Sequence, residues 1–346
     1  MSRCGGEKER KHESDESRID SGIDSGIDSY RSISRDPYWS VESSEEKDKS
    51  SCGTEERLDS AYASSSLTVD SLGDFIGKCS ISEYETPTDC ENTEEEVNLL
   101  TTVTEDGDTI LHLAIIHEEQ HFSHQLIELF PRDLLDIQNN LYQAPLHLAT
   151  YLNQHSIVKD LVAKGVSLEL QDQDGNTPLH VACQHGFWDC ANEMIHNASP
   201  NKLAHVLEAQ NWRGVTCLHV ATMHKQHRLM RLLMKKGVNL NTQEGTSGKT
   251  ALHMAVELHD VSTVNLLLNS GANVDAAMFN GCTALHLAVG RQDAAVANRL
   301  CQAGADKMIR NMEDDTALDL AYGNDDILAL FPFDDIQIMG RTVINF

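Results

Sequence analysis

A short phrase recurs seven times in this 346-residue chain and constrains its fold more than any other feature. Six copies join Leu-His to an apolar residue and Ala, with the histidine at His112, His147, His180, His219, His253 and His286. A seventh, degenerate copy has Asp319 in place of histidine. The steps between these anchors are 35, 33, 39, 34, 33 and 33 residues. Such a period predicts a stack of similar units, each covered by its neighbours.

The residues around each anchor predict the structure of one unit. A threonine before the Leu-His pair, as at Thr177, Thr250 and Thr283, suits a helix N-cap, where its hydroxyl can accept an unpaired backbone N–H. Pro145 and Pro178 suit the first helical position. A period of about 33 residues with Thr-Pro-Leu-His-x-Ala is typical of ankyrin repeats. The sequence therefore predicts an all-α ankyrin-repeat solenoid of six to seven repeats.

A second apolar stretch in each unit, such as 264–268, predicts a second helix. A glycine suited to the left-handed end of that helix follows at Gly165, Gly237, Gly271 and Gly304. The 39-residue step from His180 to His219 predicts an insertion within 197–210 that lengthens the second helix or its exit loop.

The first part of the chain differs in composition. Residues 1–105 hold 26 acidic and 11 basic side chains and so contribute −15 to the formal net charge of −27. Such a polar, serine-rich stretch cannot bury enough apolar surface to offset its ordering entropy. We predict a long disordered regulatory arm over 1–95, the ankyrin-repeat domain over 96–323 and a short acidic and apolar tail over 324–346.

Composition also excludes several classes of protein. A net charge of −27 argues against nucleic-acid binding, which selects for Lys and Arg clusters. No apolar run reaches the ~18 residues of a membrane span, and residues 1–10 contain no secretory signal. Nine cysteines without a Cys-x-x-Cys pair fit free thiols in the cytosol or nucleus.

Three patterns resemble ligand sites. His117, Glu118 and His121 match the His-Glu-x-x-His of zinc peptidases, but they should span a helix end and the next turn. The loop 245–250 resembles a phosphate-binding loop but has Gln243 where that pattern needs glycine. The anchor histidines should lie about 10 Å apart, too far to share an ion, so we expect each to tether the backbone.

No nucleophile–base set, paired-carboxylate site or nucleotide fingerprint stands out, and Cys183 and Cys190 lack an activating base. We therefore predict a protein that is not an enzyme and that has no cofactor and no metal. A zinc peptidase stays as an alternative that a measurement of bound metal would test.

Two copies of Asp-Ser-Gly-x-x-Ser overlap at 20–29. Their serines are Ser21, Ser25 and Ser29, and both copies use Ser25. Two phosphates four residues apart would add roughly −3 to −4 charge and suit an arginine-lined pocket. The motif predicts an inducible handle for another protein.

An ankyrin stack preceded by this motif resembles the inhibitor-of-NF-κB (IκB) family, which includes the Cactus proteins. The phrases 106–119 and 138–147 are similar to that family's first and second repeats. The resemblance implies a cytoplasmic inhibitor, able to shuttle to the nucleus, that binds a Rel/NF-κB dimer and masks its nuclear-import segment. It suggests Asp106, Asp108, Glu118 and Glu119 as contacts near that segment, and Asp325, Asp326, Asp334 and Asp335 as acidic groups that oppose DNA.

The resemblance also implies how the inhibitor is removed. An IκB kinase would phosphorylate Ser21 and Ser25, or Ser25 and Ser29, and a ubiquitin ligase substrate adaptor would bind the product. Lys8 and Lys11 would accept ubiquitin, and the proteasome would degrade the chain. The alternative is an ankyrin scaffold for a different partner, with a generic degradation signal.

Overall fold

The computed structural model of the chain describes residues 104–197, 200–321 and 323–331. Within these ranges the helices are α1 (Ile110–Ile116), α2 (Gln120–Leu129), α3 (Arg132–Leu135), α4 (Pro145–Tyr151), α5 (His155–Ala163), α6 (Pro178–His185), α7 (Trp188–Asn197), α8 (Pro200–Glu208), α9 (Cys217–Met223), α10 (His227–Lys235), α11 (Ala251–Glu257), α12 (Val261–Asn269), α13 (Ala284–Gly290), α14 (Ala294–Gln302) and α15 (Asp325–Leu328). A 3₁₀ turn at Leu318–Ala321 precedes α15.

Six helix pairs stack in two layers. The first helices α1, α4, α6, α9, α11 and α13 pack side by side, and the second helices α2, α5, α7, α10, α12 and α14 cover them. The apolar side chains between the layers are fully buried, as at Leu111, Leu179 and Leu285. The predicted ankyrin-repeat stack is confirmed, and each repeat depends on its neighbours for a covered core.

The first helices begin at the predicted threonines, but the cap works differently from the prediction. Thr177, Thr250 and Thr283 occupy the N-cap, and Pro145 and Pro178 are first helical residues. Only Thr109 accepts a backbone N–H through its hydroxyl, from the N–H of His112 at 3.5 Å. In all six repeats the anchor histidine, three residues into the helix, accepts the N–H of the cap residue through Nδ1.

Left-handed residues end the second helices and join the two helices of each repeat. Gly165, Gly237, Gly271 and Gly304 have φ between 79° and 91°, as predicted. The turn between first and second helices repeats this conformation, mostly without glycine, at Glu118, Asn153, Gly186, Lys225, His259 and Gln292.

Three anchor steps are longer than 33 residues, and each has a structural cause. The 39-residue step contains α8, an additional short helix within the predicted 197–210, so the insertion lies in the exit loop after α7 and does not lengthen the second helix. The 35-residue step contains the single-turn helix α3. The 34-residue step carries one extra residue in the turn before α11, where Glu244 accepts backbone N–H groups that an asparagine or aspartate accepts elsewhere.

The last described repeat is a degenerate cap, as predicted. Its first helix shrinks to the 3₁₀ turn, and Asp319 replaces the anchor histidine by accepting from both the N–H and the hydroxyl of Thr316 at 2.8 Å. The turns before the helices, named finger turns below, form single bridges such as Gln210 with Thr216 and not extended hairpins among the described residues.

Candidate partner-binding surface

Four of the six anchor histidines form hydrogen bonds to the next repeat, whereas the Nε2 atoms of His219 and His253 are buried without a hydrogen-bond partner among the described residues. His112 Nε2 lies 2.9 Å from the carbonyl oxygen of Gln143, just before the next cap. His147, His180 and His286 make the same contact at 3.0–3.2 Å with the carbonyls of Asn176, Val215 and Asp315. Each Nδ1 accepts the N–H of its own cap residue, so the proton sits on Nε2, which donates in these four repeats. The predicted backbone tether is confirmed.

Burial keeps these imidazoles neutral. It lowers the pKa of His147, His180, His219 and His253 to about 4, although nearby carbonyls oppose the shift. Both ring nitrogens are committed to the backbone at His147 and His180. Within the described ranges no three His, Cys, Asp or Glu side chains come together as metal ligands do. This network therefore stabilises the stack and offers no reactive group.

The His-Glu-x-x-His segment does not form one helical face. His117 ends α1, Glu118 adopts a left-handed φ of 58°, and His121 lies in α2. A zinc peptidase needs both histidines on consecutive turns of one helix. The left-handed turn between them interrupts the helix, and this contradicts the zinc-peptidase alternative.

The loop that resembles a phosphate site is filled by the chain itself. The Glu244 carboxylate accepts the backbone N–H groups of Thr246 and Ser247 at 2.6 Å and their hydroxyls at 2.5 Å. These hydrogen bonds lower the pKa of Glu244 to about 2 despite the opposing effect of its burial. The donors that would bind a phosphate are already taken.

A buried ion pair lies beside that loop. Lys249 Nζ is 3.2 Å from Glu257 Oε2, and both side chains are almost fully buried. Arg291, from the next repeat, contacts the other Glu257 oxygen at 3.3 Å. The charges satisfy one another and join two repeats.

The thiols at Cys183 and Cys190 are core groups. Both residues are fully buried. A hydrogen bond with Cys217, together with burial, raises the pKa of the Cys183 thiol, and burial raises that of Cys190 to about 12. Protonated thiols of this kind are poor nucleophiles.

The finger turns stack directly on one another. The N–H of Asn140 donates to the Asp106 carbonyl at 3.0 Å, and Trp212 and Phe279 repeat this contact with the preceding turn at 3.2 and 3.0 Å. Five of the stacked residues cover the glycine of the turn before them, so that an added Cβ on Gly175 would meet Trp212. We name the stacked residues the finger row: Glu105, Asn140, Gln173, Trp212, Gly245, Phe279 and Met312.

The finger row changes character along the stack. Glu105 at its start is acidic and exposed, and Asn140 and Gln173 are polar. From the fourth repeat the row carries no polar side chain, and its three apolar members Trp212, Phe279 and Met312 are 69, 51 and 78% exposed. Large exposed apolar side chains aligned on one edge are typical of a protein-binding surface.

The sequence did not reveal this row, because only three of its seven members are apolar. A detectable signal lay beside it. In four finger turns a side-chain oxygen five residues before the cap position accepts N–H groups of the turn, at Asn139, Asp172, Asn211 and Asn311. That recurrence marks the turns whose tips the row occupies.

The acidic residues predicted to contact a partner separate into two groups in the first repeat. Asp106 is exposed at the finger turn before α1, while Glu118 is exposed and Glu119 half-buried beyond its other end. Asp108 is 3% exposed and accepts from the Asn139 amide at 2.7 Å. Its carboxylate joins two repeats and is not available to a partner, so its assignment as a contact is wrong.

The remaining candidate sites lie at the ends of the chain. Asp325 and Asp326 are exposed in the first turn of α15, where the Asn324 side chain caps the helix. Ser21, Ser25, Ser29, Lys8, Lys11, Asp334 and Asp335 lie outside the described residues. Their roles and the predicted arm over 1–95 stay predictions.

Comparison with known proteins agrees with the stack. A family model for ankyrin repeats in three copies matches residues 124–204 and 202–278, and a single-repeat model matches 280–312. NF-kappa-B inhibitor epsilon of Homo sapiens is 41% identical over 84% of this chain and 58% of that protein. NF-kappa-B inhibitor alpha of Homo sapiens is 43% identical over 41% of this chain and 45% of that protein.

A solved structure decides the family. The ankyrin repeat domain of Bcl-3, described as a unique member of the IkappaB protein family, matches with a TM-score of 0.62 and 39% identity, covering 65% of this chain and 99% of that domain. The chain belongs to the IκB family. It spans 58% of the length of the epsilon inhibitor and 45% of the length of the alpha inhibitor.

Membership of the IκB family agrees with the prediction of an interaction protein that is not an enzyme. Among the described helices, none is long and apolar enough to cross a bilayer.

Proposed function

We propose that the protein is a cytoplasmic inhibitor, able to shuttle to the nucleus, that binds a Rel/NF-κB dimer through its finger row and masks the nuclear-import segment. Its relatives are named as NF-κB inhibitors, which supports this proposal. The observation that carries it is the change along the row from acidic and polar side chains to large exposed apolar ones.

The first repeat suits a basic peptide. A nuclear-import segment is rich in lysine and arginine, so exposed carboxylates attract it and speed its encounter with the stack. Glu105 and Asp106 lie side by side in the first finger turn, and Glu118 is exposed at the far end of α1. The helix between them spans about 10 Å, which is the length of a few extended residues.

The later repeats suit a folded surface. Trp212 and Phe279 each rest on a glycine of the neighbouring turn, so their rings are held in place before a partner arrives. Rigid aromatic groups of this kind carry much of the energy of protein interfaces. We assign them to the dimerisation domains of the Rel partner, with Asp325 and Asp326 placed to oppose DNA.

Release is proposed to run through the overlapping motif. An IκB kinase phosphorylates two of Ser21, Ser25 and Ser29, a ubiquitin ligase substrate adaptor binds the phosphates, and ubiquitin on Lys8 or Lys11 directs degradation. Ser25 belongs to both copies of the motif, whereas the outer serines each belong to one. Loss of Ser25 therefore disables both copies.

Binding is tested with purified Rel dimer and the full chain by calorimetry at physiological salt. We expect Trp212→Ala with Phe279→Ala to weaken the complex at least ~30-fold, because central aromatic anchors are each worth about 2 kcal/mol or more. Leu129→Ala with Val261→Ala removes exposed apolar groups outside the row and should change affinity less than ~3-fold. No complex at micromolar concentration would favour the alternative of a different ankyrin partner.

Release is tested by following chain abundance after stimulation. Ser25→Ala should block stimulus-driven loss, while Ser21→Ala and Ser29→Ala should each retain it, because one intact copy remains. All three variants should bind the Rel dimer normally. Equal loss of response in Ser21→Ala and Ser25→Ala would show that the second copy is not used.

A further inference from the structure

A strongly basic surface lies on the fourth repeat of this acidic protein. Of the 15 Lys and Arg residues in the described ranges, five lie between positions 225 and 236. No aspartate or glutamate occurs between Glu208 and Glu244. Four of the five are exposed, and we name them the basic stripe: Lys225, Arg228, Arg231 and Lys235.

The helix α10 presents the basic stripe as one continuous face. Arg228, Arg231 and Lys235 are three and four residues apart, so they align along its solvent side. Leu229, Met230, Leu232 and Leu233 bury the opposite side. Lys225 extends the line from the left-handed turn before the helix, with φ of 53°. None of the four makes an ion pair with another residue of the described stack.

One cation of the stripe is held in position. The Arg228 guanidinium lies 4.0 Å from the centre of the Trp188 ring, in the preceding repeat. Stacking on an aromatic face fixes the planar group while its N–H donors stay available to a carboxylate. Asp189 and Glu193 of α7 flank this edge of the stripe, whereas α12 on the other edge carries no charged residue.

The chain supplies an acidic segment that matches this surface. Residues 83–96 contain seven carboxylates and no lysine or arginine. The seven residues 97–103 connect this segment to the described stack and can span about 24 Å when extended. The fourth repeat lies three steps from the first, about 30 Å at ordinary helix spacing. The linker and the last two residues of the acidic segment together span that distance when extended. The acidic segment can therefore reach α10, and its tether gives it an effective concentration of about millimolar.

We propose that the basic stripe is a docking site for the chain's own acidic segment 83–96. The segment lies along α10, with its carboxylates paired to the stripe and the Arg228–Trp188 stack as the fixed point. This contact places the end of the arm on the second-helix layer and leaves the finger row open. It does not depend on the identity of any partner.

The contact is tested by carbodiimide cross-linking of the full chain, with the linked peptides mapped by mass spectrometry. We expect Lys225 and Lys235 to link to 83–96 at least ~5-fold more often than the exposed Lys159 does. The links should fall several-fold in 0.5 M salt, because salt screens exposed charges over about 4 Å at that concentration. Equal yields at Lys159 and at the stripe would overturn the proposal.

Matched charge reversals isolate the segment. Glu91→Lys, Glu94→Lys, Glu95→Lys and Glu96→Lys together should remove the links while leaving the stack untouched. The same change of charge at 42–48, made with Glu42→Lys, Glu45→Lys, Glu46→Lys and Asp48→Lys, should retain them. Loss of the links in both variants would assign the effect to net charge and overturn the specific contact.

Hydrogen exchange gives a second readout that does not need the lysines. Exchange at 83–96 should speed up at least ~3-fold when Arg228→Glu and Arg231→Glu are introduced together. Combining these with the reversed segment should restore slow exchange. Links between isotopically labelled and unlabelled chains, at yields that rise with concentration, would show docking between molecules and overturn the intramolecular assignment.

Discussion

The interior of the repeats and their finger row follow opposite rules. All six anchor histidines accept the N–H of their own cap residue, and four of them also contact a carbonyl of the next repeat. Even the aspartate of the last copy reproduces the cap contact. The finger row instead changes residue type from glutamate through amides to tryptophan, glycine, phenylalanine and methionine. Repetition therefore encodes the stack, and the proposed partner surface lies where the repeats differ.

The largest expected effect comes from titrating the interior. Histidine in an unfolded chain has a pKa of about 6.5, whereas four anchor histidines have values of about 4 in the fold. The folded state thus binds fewer protons, so the stability contribution is complete above the unfolded pKa and is lost as pH falls from about 6.5 to 4. The loss is on the order of 2 kcal/mol per histidine at pH 5.

Urea unfolding followed by circular dichroism at pH 7.5, 6.0 and 5.0 measures this loss. The midpoint should fall steeply below pH 6, and His180→Gln should make the fall less steep because one titrating group is gone. A midpoint that stays constant from pH 7.5 to 5.0 would contradict the proposed neutrality of the interior. The finger row itself should contribute little to the loss of stability between pH 7.5 and 5.0.

A smaller effect on stability is expected where the repeat interior meets the finger row. Gly165 and Gly175 have left-handed φ of 79° and 77°, but a Cβ on Gly165 meets nothing within 4 Å, whereas one on Gly175 would lie 2.5 Å from the Trp212 nitrogen. Gly165→Ala should cost about 1 kcal/mol for the left-handed backbone. Gly175→Ala should cost at least ~2 kcal/mol more, since two finger turns must move apart.

Thermal unfolding of the two alanine variants measures that difference. Gly165→Ala is the matched control, because it carries the same backbone strain without the crowding. Equal losses would mean that the finger turns separate freely, and the finger row would then not be a rigid surface.

The sequence predicted the interior far better than the surface, for physical reasons. A cap, an anchor and a helix end each depend on contacts within a few residues, so Thr177, His180 and Gly165 could be placed from spacing alone. The burial of Asp108 depends on Asn139, which is 31 positions away, and could not be read locally. The helix α8 was missed because a six-residue insertion fits either an extended helix or a new one.

The site was predictable in charge but not in shape. Net acidity and the similarity of the first repeat to the IκB family indicated Asp106 and Glu118, which are exposed. The apolar half of the row needed the stacking of turns 33 or more residues apart, which brings Trp212 and Phe279 onto one edge. An isolated tryptophan after a polar run gives no such signal in a single sequence.

The smallest expected effect is at Tyr142, where a residue beside the finger row replaces the glycine of the repeat. Tyr142 has a left-handed φ of 57° and is 62% exposed, at the turn position where five other repeats have glycine. Tyr142→Gly relieves backbone strain of about 1 kcal/mol but adds a similar amount of unfolded-chain entropy. The unfolding free energy should therefore change by less than ~0.5 kcal/mol, as measured by urea titration.

If the ring also contacts a partner, as its place beside the finger row suggests, the Tyr142→Gly variant should bind a Rel dimer several-fold more weakly. Unchanged affinity would confine the partner surface to the row itself, while a large loss of stability would show that Tyr142 belongs to the interior after all.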